Sequence, residues 1–313
     1  MDKNLNIAVI IPCYNEANSI ASVIASFSQY LPTASVYVYD NNSTDGTADI
    51  AQQAGAIVRY EPQQGKGHVV RRMFSDIDAS LYILVDGDDT YDTASAPAMV
   101  ELLLEKRCDM VNGIRVADYE TAYRFGHRFG NRMFTKIVNW LFGDRSSDIL
   151  SGYRVFSRRF VKSFPALSTG FEIETEFTIH ALSLSMPIEE LSARYRDRGE
   201  DSPSKLDTYR DGSRILFKIL VLTKEVKPFF FFTMGFLLLS VMSLVLGFPL
   251  ILEWMETGLV PRLPTAVLSA SLMLLAFLSM TTGLILDSVA RGRKEAKRLH
   301  YLNLPWLDKD YSG

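Results

Sequence analysis

Residues 81–92 read LYILVDGDDTYD. The apolar run from Leu81 to Val85 predicts a buried strand. It stops at four carboxylates, Asp86, Asp88, Asp89 and Asp92. Ligands of open α/β sheets bind beyond the carboxyl ends of the strands, so this strand delivers Asp86 and Asp88 to a ligand crevice. Gly87 between them is expected to take backbone angles that other residues avoid. Hard oxygen donors at this spacing suit Mg²⁺ or Mn²⁺ shared with a substrate's phosphates. The competing reading is an acidic, solvated turn, because Asp and Gly are common turn residues.

Upstream, Ile7 to Ile11 predicts a first strand, followed by PCYNEANS and an amphipathic helix from Ile20 to Leu31. Ser35 to Tyr39 predicts a second strand. It runs into Asp40-Asn41-Asn42-Ser43-Thr44-Asp45-Gly46-Thr47, where Ser43 or Asp45 would cap the next helix. A short strand over 56–60 leads to Gly65-Lys66-Gly67 and a helix from His68 to Ile77. Downstream we expect a helix over 94–106, a strand over 109–114 and a basic aromatic helix or helix pair over 123–142. A turn and strand over 148–156 carry Arg154. A helix over 170–180 carries Glu172, Glu174 and Glu176, and a strand follows over 188–195. Strands alternating with helices predict an α/β domain with a mostly parallel sheet. Asp40 and Asp86 then share one sheet edge. Asp40 suits a ribose hydroxyl or a base N–H. The small residues of the GKG turn would let backbone approach a ligand, with Lys66 facing a phosphate. The spacing is not that of a P-loop, and a surface turn is the alternative.

The chain has 313 residues and a net charge of −3, which lacks a polyanion-binding signature and points to no nucleic-acid partner. Cys13 and Cys108 have no metal-site spacing and suit a reducing compartment. The four histidines are scattered, which argues against a histidine metal site. Residues 229–252 and 264–286 carry no charge. A membrane span needs about 20 apolar residues, so both predict transmembrane helices. Arg210, Arg214, Lys218, Lys224 and Lys227 precede the first. Arg291, Arg293, Lys294, Lys297 and Arg298 follow the second. The positive-inside rule makes both flanks, and the large N-terminal region, cytoplasmic. Ile7 to Ile11 is too short for the core of a signal peptide. Residues 208–227 read as an amphipathic helix at the membrane interface. The expected organisation is a catalytic region over 1–206, an interfacial helix over 207–228, two spans within 229–287 and a basic cytoplasmic tail over 288–313.

In this order IPCYNE, DNNSTDGT, GKG with Arg71, DGD, SGYRVFSRR and the late Ser204-Lys205 resemble the family 2 inverting glycosyltransferases of GT-A fold. That fold is a Rossmann-like nucleotide-diphospho-sugar transferase domain. With two C-terminal spans the chain is most similar to the polyisoprenyl-phosphate glycosyltransferases, relatives of dolichol-phosphate mannose synthase. The resemblance implies transfer of one hexose from a nucleotide sugar, UDP-linked by analogy, to polyprenyl (undecaprenyl) phosphate at the inner membrane. It implies that Pro12, Tyr14, Glu16, Asp40 and Asn42 hold the nucleoside, with Lys66 and Arg71 near the diphosphate. Asp86, Gly87 and Asp88 become the DxD motif, whose carboxylates bind Mg²⁺ or Mn²⁺. Arg154, Arg198, Ser204 and Lys205 become the phosphate-binding set, with Arg154 and Lys205 acting in catalysis beside Asp86 and Asp88. A homo-oligomer, up to a tetramer, fits the same resemblance. Glu172 and Glu174 are candidates for binding sugar hydroxyls or for a base, against a plain charged helix face.

The pattern departs from the family in places. Asn41 stands where a second Asp is usual. Thr90 stands where the mannose-synthase relatives often carry Gln, leaving Thr90, Asp89 or water to complete the metal shell. No QxxRW sequence occurs, which argues against chain polymerisation. Three rival readings remain at this level. One is a membrane glycosyltransferase acting on a lipid or glycan hydroxyl. The others are a nucleotide-sugar-binding scaffold and a nucleotidyltransferase.

Overall fold

The computed structural model describes residues 5–117, 136, 140, 147–196, 216–217, 220–221 and 223–307. Two compact units are present, one formed by residues 1–219 with 297–313 and the other by residues 220–296.

The first unit is built on a seven-stranded sheet of order β3-β2-β1-β4-β6-β5-β7. The strands are β1 (Ile7–Cys13), β2 (Ser35–Asp40), β3 (Ile57–Tyr60), β4 (Leu81–Leu84), β5 (Met110–Ala117), β6 (Arg154–Ser157) and β7 (Ile188–Tyr195). β1 pairs in parallel with both β2 and β4, and β2 with β3. β6 runs antiparallel between β4 and β5, so the sheet is mixed. Helices α1 (Ile20–Tyr30), α2 (Thr47–Gln53), α3 (Lys66–Asp76), α4 (Ala96–Lys106), α5 (Arg158–Ser163) and α6 (Ile173–Leu184) cover it.

Alternation along the strands explains the layering, since successive side chains point to opposite faces. On β1, Ile7, Val9 and Ile11 enter one core with Leu81, Ile83 and Val85, while Ala8 and Ile10 enter the other with Tyr82 and Leu84. Both faces are buried, which is why these strands read as continuous apolar runs. α1 closes the first core with Ile20, Val23, Ile24 and Phe27, spaced for one helix face. α3 closes the second with Val69, Val70, Met73 and Phe74.

Connections leave β1 toward β2 on one side and reach β4 on the other. This strand-order switch opens the ligand crevice of such sheets. The carboxyl ends of β1, β2 and β4 lie on one edge, and antiparallel β6 brings its amino end, with Arg154 paired to Leu84, to the same edge.

The second unit contains most of two long helices, α7 (Pro228–Thr257) and α8 (Leu263–Asn303). Both are long and apolar enough to cross a membrane. Small and polar residues join them. Ser243 Oγ donates to the Ser269 carbonyl at 2.8 Å and Ser269 Oγ returns a bond to the Ser243 carbonyl at 2.9 Å. Ser279 Oγ donates to the Phe232 carbonyl at 2.9 Å, and Gly235, Gly247 and Gly283 leave room for Ser279, Ser269 and Phe232. Close approach through small residues with interhelical hydrogen bonds is how apolar helices associate in lipid.

α8 is helical to Asn303. Beyond the expected second span, the chain packs on the sheet unit. Tyr301 Oη donates to buried Asp109 at 2.5 Å, and Trp306 Nε1 donates to the Cys108 carbonyl at 3.0 Å. Most of the expected helix over 123–142 and most of the interfacial helix over 207–228 fall outside the described residues.

Candidate active site

Three loops meet at the sheet edge, and side-chain-to-backbone bonds hold them together. After β1, Asn15 takes a left-handed conformation (φ 53°) and its N–H donates to Ser43 Oγ at 2.9 Å. Glu16 N–H donates to Thr47 Oγ1 at 2.8 Å, and Ala17 N–H to Asp45 Oδ2 at 3.0 Å. Asp45 also accepts from the Thr47 N–H at 3.0 Å, but left-handed Gly46 holds the cap position of α2, so neither expected cap, Ser43 nor Asp45, occupies it. Much of the DNNSTDGT motif therefore laces the β1 and β2 loops together.

Asp40 ends β2 and is 4% exposed. Its Oδ2 accepts from the Ser43 N–H at 3.1 Å, while Oδ1 is buried without a partner among the described residues. A buried acceptor left unpaired is costly unless a ligand completes it. Tyr14 stands 40% exposed at the neighbouring loop, and Pro12 is half-buried. Asn42 is left-handed (φ 67°) and exposed, and its amide donates to the Pro62 carbonyl at 2.9 Å.

Asn41 is buried. Its Nδ2 donates to the carbonyls of Glu61 at 2.7 Å and Gln63 at 2.8 Å, and its Oδ1 accepts from the Gly65 N–H at 2.7 Å. An aspartate cannot donate to two carbonyls. The departure from the family pattern is thus a structural amide that fixes the approach to the GKG turn.

The GKG glycines meet the chain itself. A Cβ on Gly65 or Gly67 would collide with the backbone of Thr169 or Ser168, and Gly67 N–H donates to the Thr169 carbonyl at 3.0 Å. The expectation that these glycines admit a ligand's approach gives way to close packing against residues 168–169. Glu176 anchors that segment by accepting from the N–H groups of Leu167 and Ser168. Gly87 is likewise a matter of space. Its φ is not left-handed, and a Cβ there would lie 2.8 Å from Cys13 Sγ.

Lys66 is the centre of the site. It begins α3, and its ammonium sits 2.5 Å from Asp86 Oδ1 and 2.6 Å from Glu174 Oε1, with the side chain only 7% exposed. Burial alone would lower its pKa, but Asp86 and then Glu174 outweigh it and hold the value above the ordinary one. Gly152 presses on this pair, for a Cβ there would strike the Asp86 carboxylate and approach Lys66 Nζ to 3.1 Å. The Tyr91 hydroxyl holds Gly152 by accepting its N–H at 2.9 Å. Asp86 itself is 26% exposed in its side chain and borders the crevice.

Asp88 is buried, and Thr90 Oγ1 donates to its Oδ1 at 2.6 Å. Asp89 is left-handed (φ 55°) and accepts from Ser22 on α1 at 3.0 Å. Thr90 and Asp89 thus support the loop. Among the described residues, no group of three or more His, Cys, Asp or Glu is arranged to hold a metal.

Arg154 departs from the expected phosphate contact. It is 0% exposed, and its guanidinium donates to the carbonyls of Ser151 at 3.0 Å and Ile149 at 2.9 Å and to Thr178 Oγ1 at 2.9 Å. Burial lowers its pKa to about 10. The physical reason lies in the sheet: β6 is an inner strand, so Arg154 faces the protein and braces the 149–152 turn against α6. Arg71 is exposed and pairs with His68 Nδ1 at 2.5 Å and Gln63 Oε1 at 3.4 Å. Glu16 is buried at the β1 loop. Arg198, Ser204 and Lys205 lie outside the described residues. The sequence reading flagged Asn41 only as a departure from the family pattern, and it missed Tyr91 and Gly152 as parts of the site. Gly152 alone carried a signal, as the glycine of SGYRVF.

A model of glycosyl transferase family 2 matches residues 8–164, half of the chain. The chain belongs to that family. It is 32% identical to the glycosyltransferase AglJ of Haloferax volcanii over 95% of this chain and 98% of that protein. It is 29% identical to a dolichyl-phosphate hexose transferase of the same organism over 67% of this chain and 90% of the relative. Its fold is similar to the crystal structure of glucosyl-3-phosphoglycerate synthase from Mycobacterium tuberculosis in complex with Mn²⁺, UDP and glucosyl-3-phosphoglycerate. The TM-score is 0.57 at 21% identity, covering 70% of this chain and 80% of the other. The family 2 domain is therefore a GT-A-like mixed α/β sheet, and the protein is a glycosyltransferase that uses a nucleotide sugar.

Proposed function

We propose that this glycosyltransferase moves a single hexose from a UDP-linked sugar to a polyprenyl phosphate at the cytoplasmic face of a membrane. The observation that carries this reading is a family 2 sheet on the same chain as two helices able to cross a membrane. The dolichyl-phosphate hexose transferase among its relatives supports the acceptor class.

The free Oδ1 of Asp40 accepts an N–H or hydroxyl of the nucleoside, with exposed Tyr14 covering the base and Pro12, Glu16 and Asn42 shaping the loop. Lys66 and Arg71 flank the diphosphate. Asp86 and Asp88 fit a divalent cation. They are two hard carboxylates on one turn, the donor type of cations that share a site with substrate phosphates. Such a cation, Mg²⁺ or Mn²⁺, neutralises charge that develops on the departing nucleoside diphosphate.

The acceptor phosphate has a second pKa of about 6 and is mostly dianionic at neutral pH. Its oxygen attacks the anomeric carbon, the bond to the diphosphate oxygen breaks, and the nucleoside diphosphate leaves with the electron pair, inverting the carbon. No side chain has to remove a proton. The chain's task is to hold two anions in line, and Arg198, Ser204 and Lys205 are the candidates to hold the acceptor. Arg154 positions the 149–152 turn. Basic flanks on both spans support a cytoplasmic location for the termini and the sheet unit.

The test uses purified protein in detergent with Mn²⁺ or Mg²⁺ and a panel of UDP- and GDP-sugars, with and without undecaprenyl phosphate. Lipid-dependent release of nucleoside diphosphate, a hexosyl-phospholipid by mass, and loss of both in Asp88→Asn are expected. Binding of a donor with no lipid-dependent release overturns the proposal.

A further inference from the structure

Lys66 presents a chemical oddity. It places a permanent cation against Asp86, one of two carboxylates proposed above to hold a divalent metal. Resting on that reading, we infer that Lys66 and Glu174 are positioning residues that set the affinity of the Asp86–Asp88 pair for the metal by charge balance, without themselves being ligands.

The charges support this. Lys66 brings one positive charge against the carboxylates of Asp86 and Glu174, and Asp88, the other carboxylate of the pair, completes a set of four. The quartet carries two net negative charges, the complement of one divalent cation. The geometry is closed around the ammonium. Lys66 Nζ touches Asp86 and Glu174 at 2.5 and 2.6 Å, Phe171 lies with its ring centroid 5.9 Å from Nζ, and Gly152 leaves no room for a side chain to intervene. The Lys66 side chain is 7% exposed and that of Glu174 9%, so water screens these charges poorly. Arg115 and Arg154 also act on Glu174 through space. They stay constant when Lys66 or Glu174 is changed.

Glu174 keeps a hold on Lys66 when Asp86 turns its charge to a metal. Lys66 in turn keeps the empty carboxylate pair from over-binding a bare cation. The metal then binds weakly alone and tightly with the nucleotide's phosphates, which supply the missing ligands. This arrangement assigns Glu174, weighed from sequence as a base or sugar ligand, to tuning the metal site through Lys66.

Two variants with opposite expected signs test it. Mn²⁺ binding to the full chain in detergent is read from the electron paramagnetic resonance signal of free Mn²⁺, with and without UDP. Glu174→Gln removes a negative charge and is expected to weaken binding of Mn²⁺ alone by on the order of tenfold. Lys66→Gln removes a positive charge and is expected to tighten it by a similar factor. The double variant restores the charge balance and returns to within about threefold of wild type. A merely structural role would loosen the site and weaken binding in both single variants. Equal signs, or no change in either, overturn the inference. Asp88→Asn separates the two levels of the argument. If wild type binds no Mn²⁺ with or without UDP, the metal reading itself falls. If wild-type binding is lost in Asp88→Asn while both single variants shift the same way, only the charge-balance inference falls.

Discussion

Asn41→Asp is the substitution that the family pattern invites, and the structure predicts that it harms this protein. The Asn41 amide donates to two carbonyls, at 2.7 and 2.8 Å, and is buried. Aspartate removes both donors and points a carboxylate at both carbonyl oxygens. Each lost hydrogen bond is worth about 1 kcal/mol, and the unpaired carbonyls and buried charge add about as much again, giving roughly 3–5 kcal/mol. For a unit of this size, about 2–4 °C is lost per kcal/mol, so the sheet unit melts on the order of 10 °C lower. Circular dichroism melting of the full chain in detergent measures this. Asn41→Ala is the control, losing the same donors and also the acceptor of the Gly65 N–H without adding charge, and is expected to cost about 2–3 kcal/mol. Because residues 61–65 lead into Lys66, weaker UDP binding accompanies the loss. An Asp variant as stable as wild type, or more stable than the Ala variant, would refute the claim that amide donation fixes this loop.

Three further substitutions probe other parts of the structure. Gly152→Ala places a methyl group against the Asp86 carboxylate and is expected to cut turnover at least about tenfold with the melting temperature little changed, as a kcat measurement beside a thermal melt will read. Tyr301→Phe removes the hydroxyl that donates to buried Asp109 while keeping the ring under Arg159, and is expected to destabilise the sheet unit by about 1–2 kcal/mol in the same melt. His180 is packed edge-on against Phe160 and Phe164, and burial, with Lys297 adding, lowers its pKa to about 3 from 6.5. The unfolded chain therefore binds the extra proton first. Stability is full above pH 6.5 and falls as pH drops toward 3, by up to about 1.4 kcal/mol per pH unit. His180→Phe is expected to flatten that acid limb between pH 6.5 and 5 in pH-dependent melting.

The strands were legible because their two-sided burial leaves unbroken apolar runs, as in Leu81 to Leu84. The strand-end carboxylates were legible for the same reason, since a charge directly after such a run marks the sheet edge. β6 was legible as a strand, but its antiparallel direction was not. Period-2 alternation carries no information about which way a strand runs relative to its neighbour. That direction puts Arg154 among buried carbonyls. Glycines were visible but their reasons were not: in Gly65, Gly67, Gly87 and Gly152, the neighbour that excludes a side chain is 66 to 104 positions away in sequence.

Sequence alone determined that this chain is a family 2 glycosyltransferase with an α/β nucleotide-sugar domain, acidic strand ends and two apolar helices. Local composition and periodicity suffice for the strands, their acidic ends and the apolar helices, because these depend on neighbours along the chain, while the family was read from the resemblance of several motifs in order. Tertiary structure alone decided which charges touch. Lys66, Asp86 and Glu174 come from α3, the end of β4 and α6. Only packing at the sheet edge brings them within hydrogen-bonding distance, because the strength of a charge contact depends on separation and burial in space, which sequence spacing does not encode.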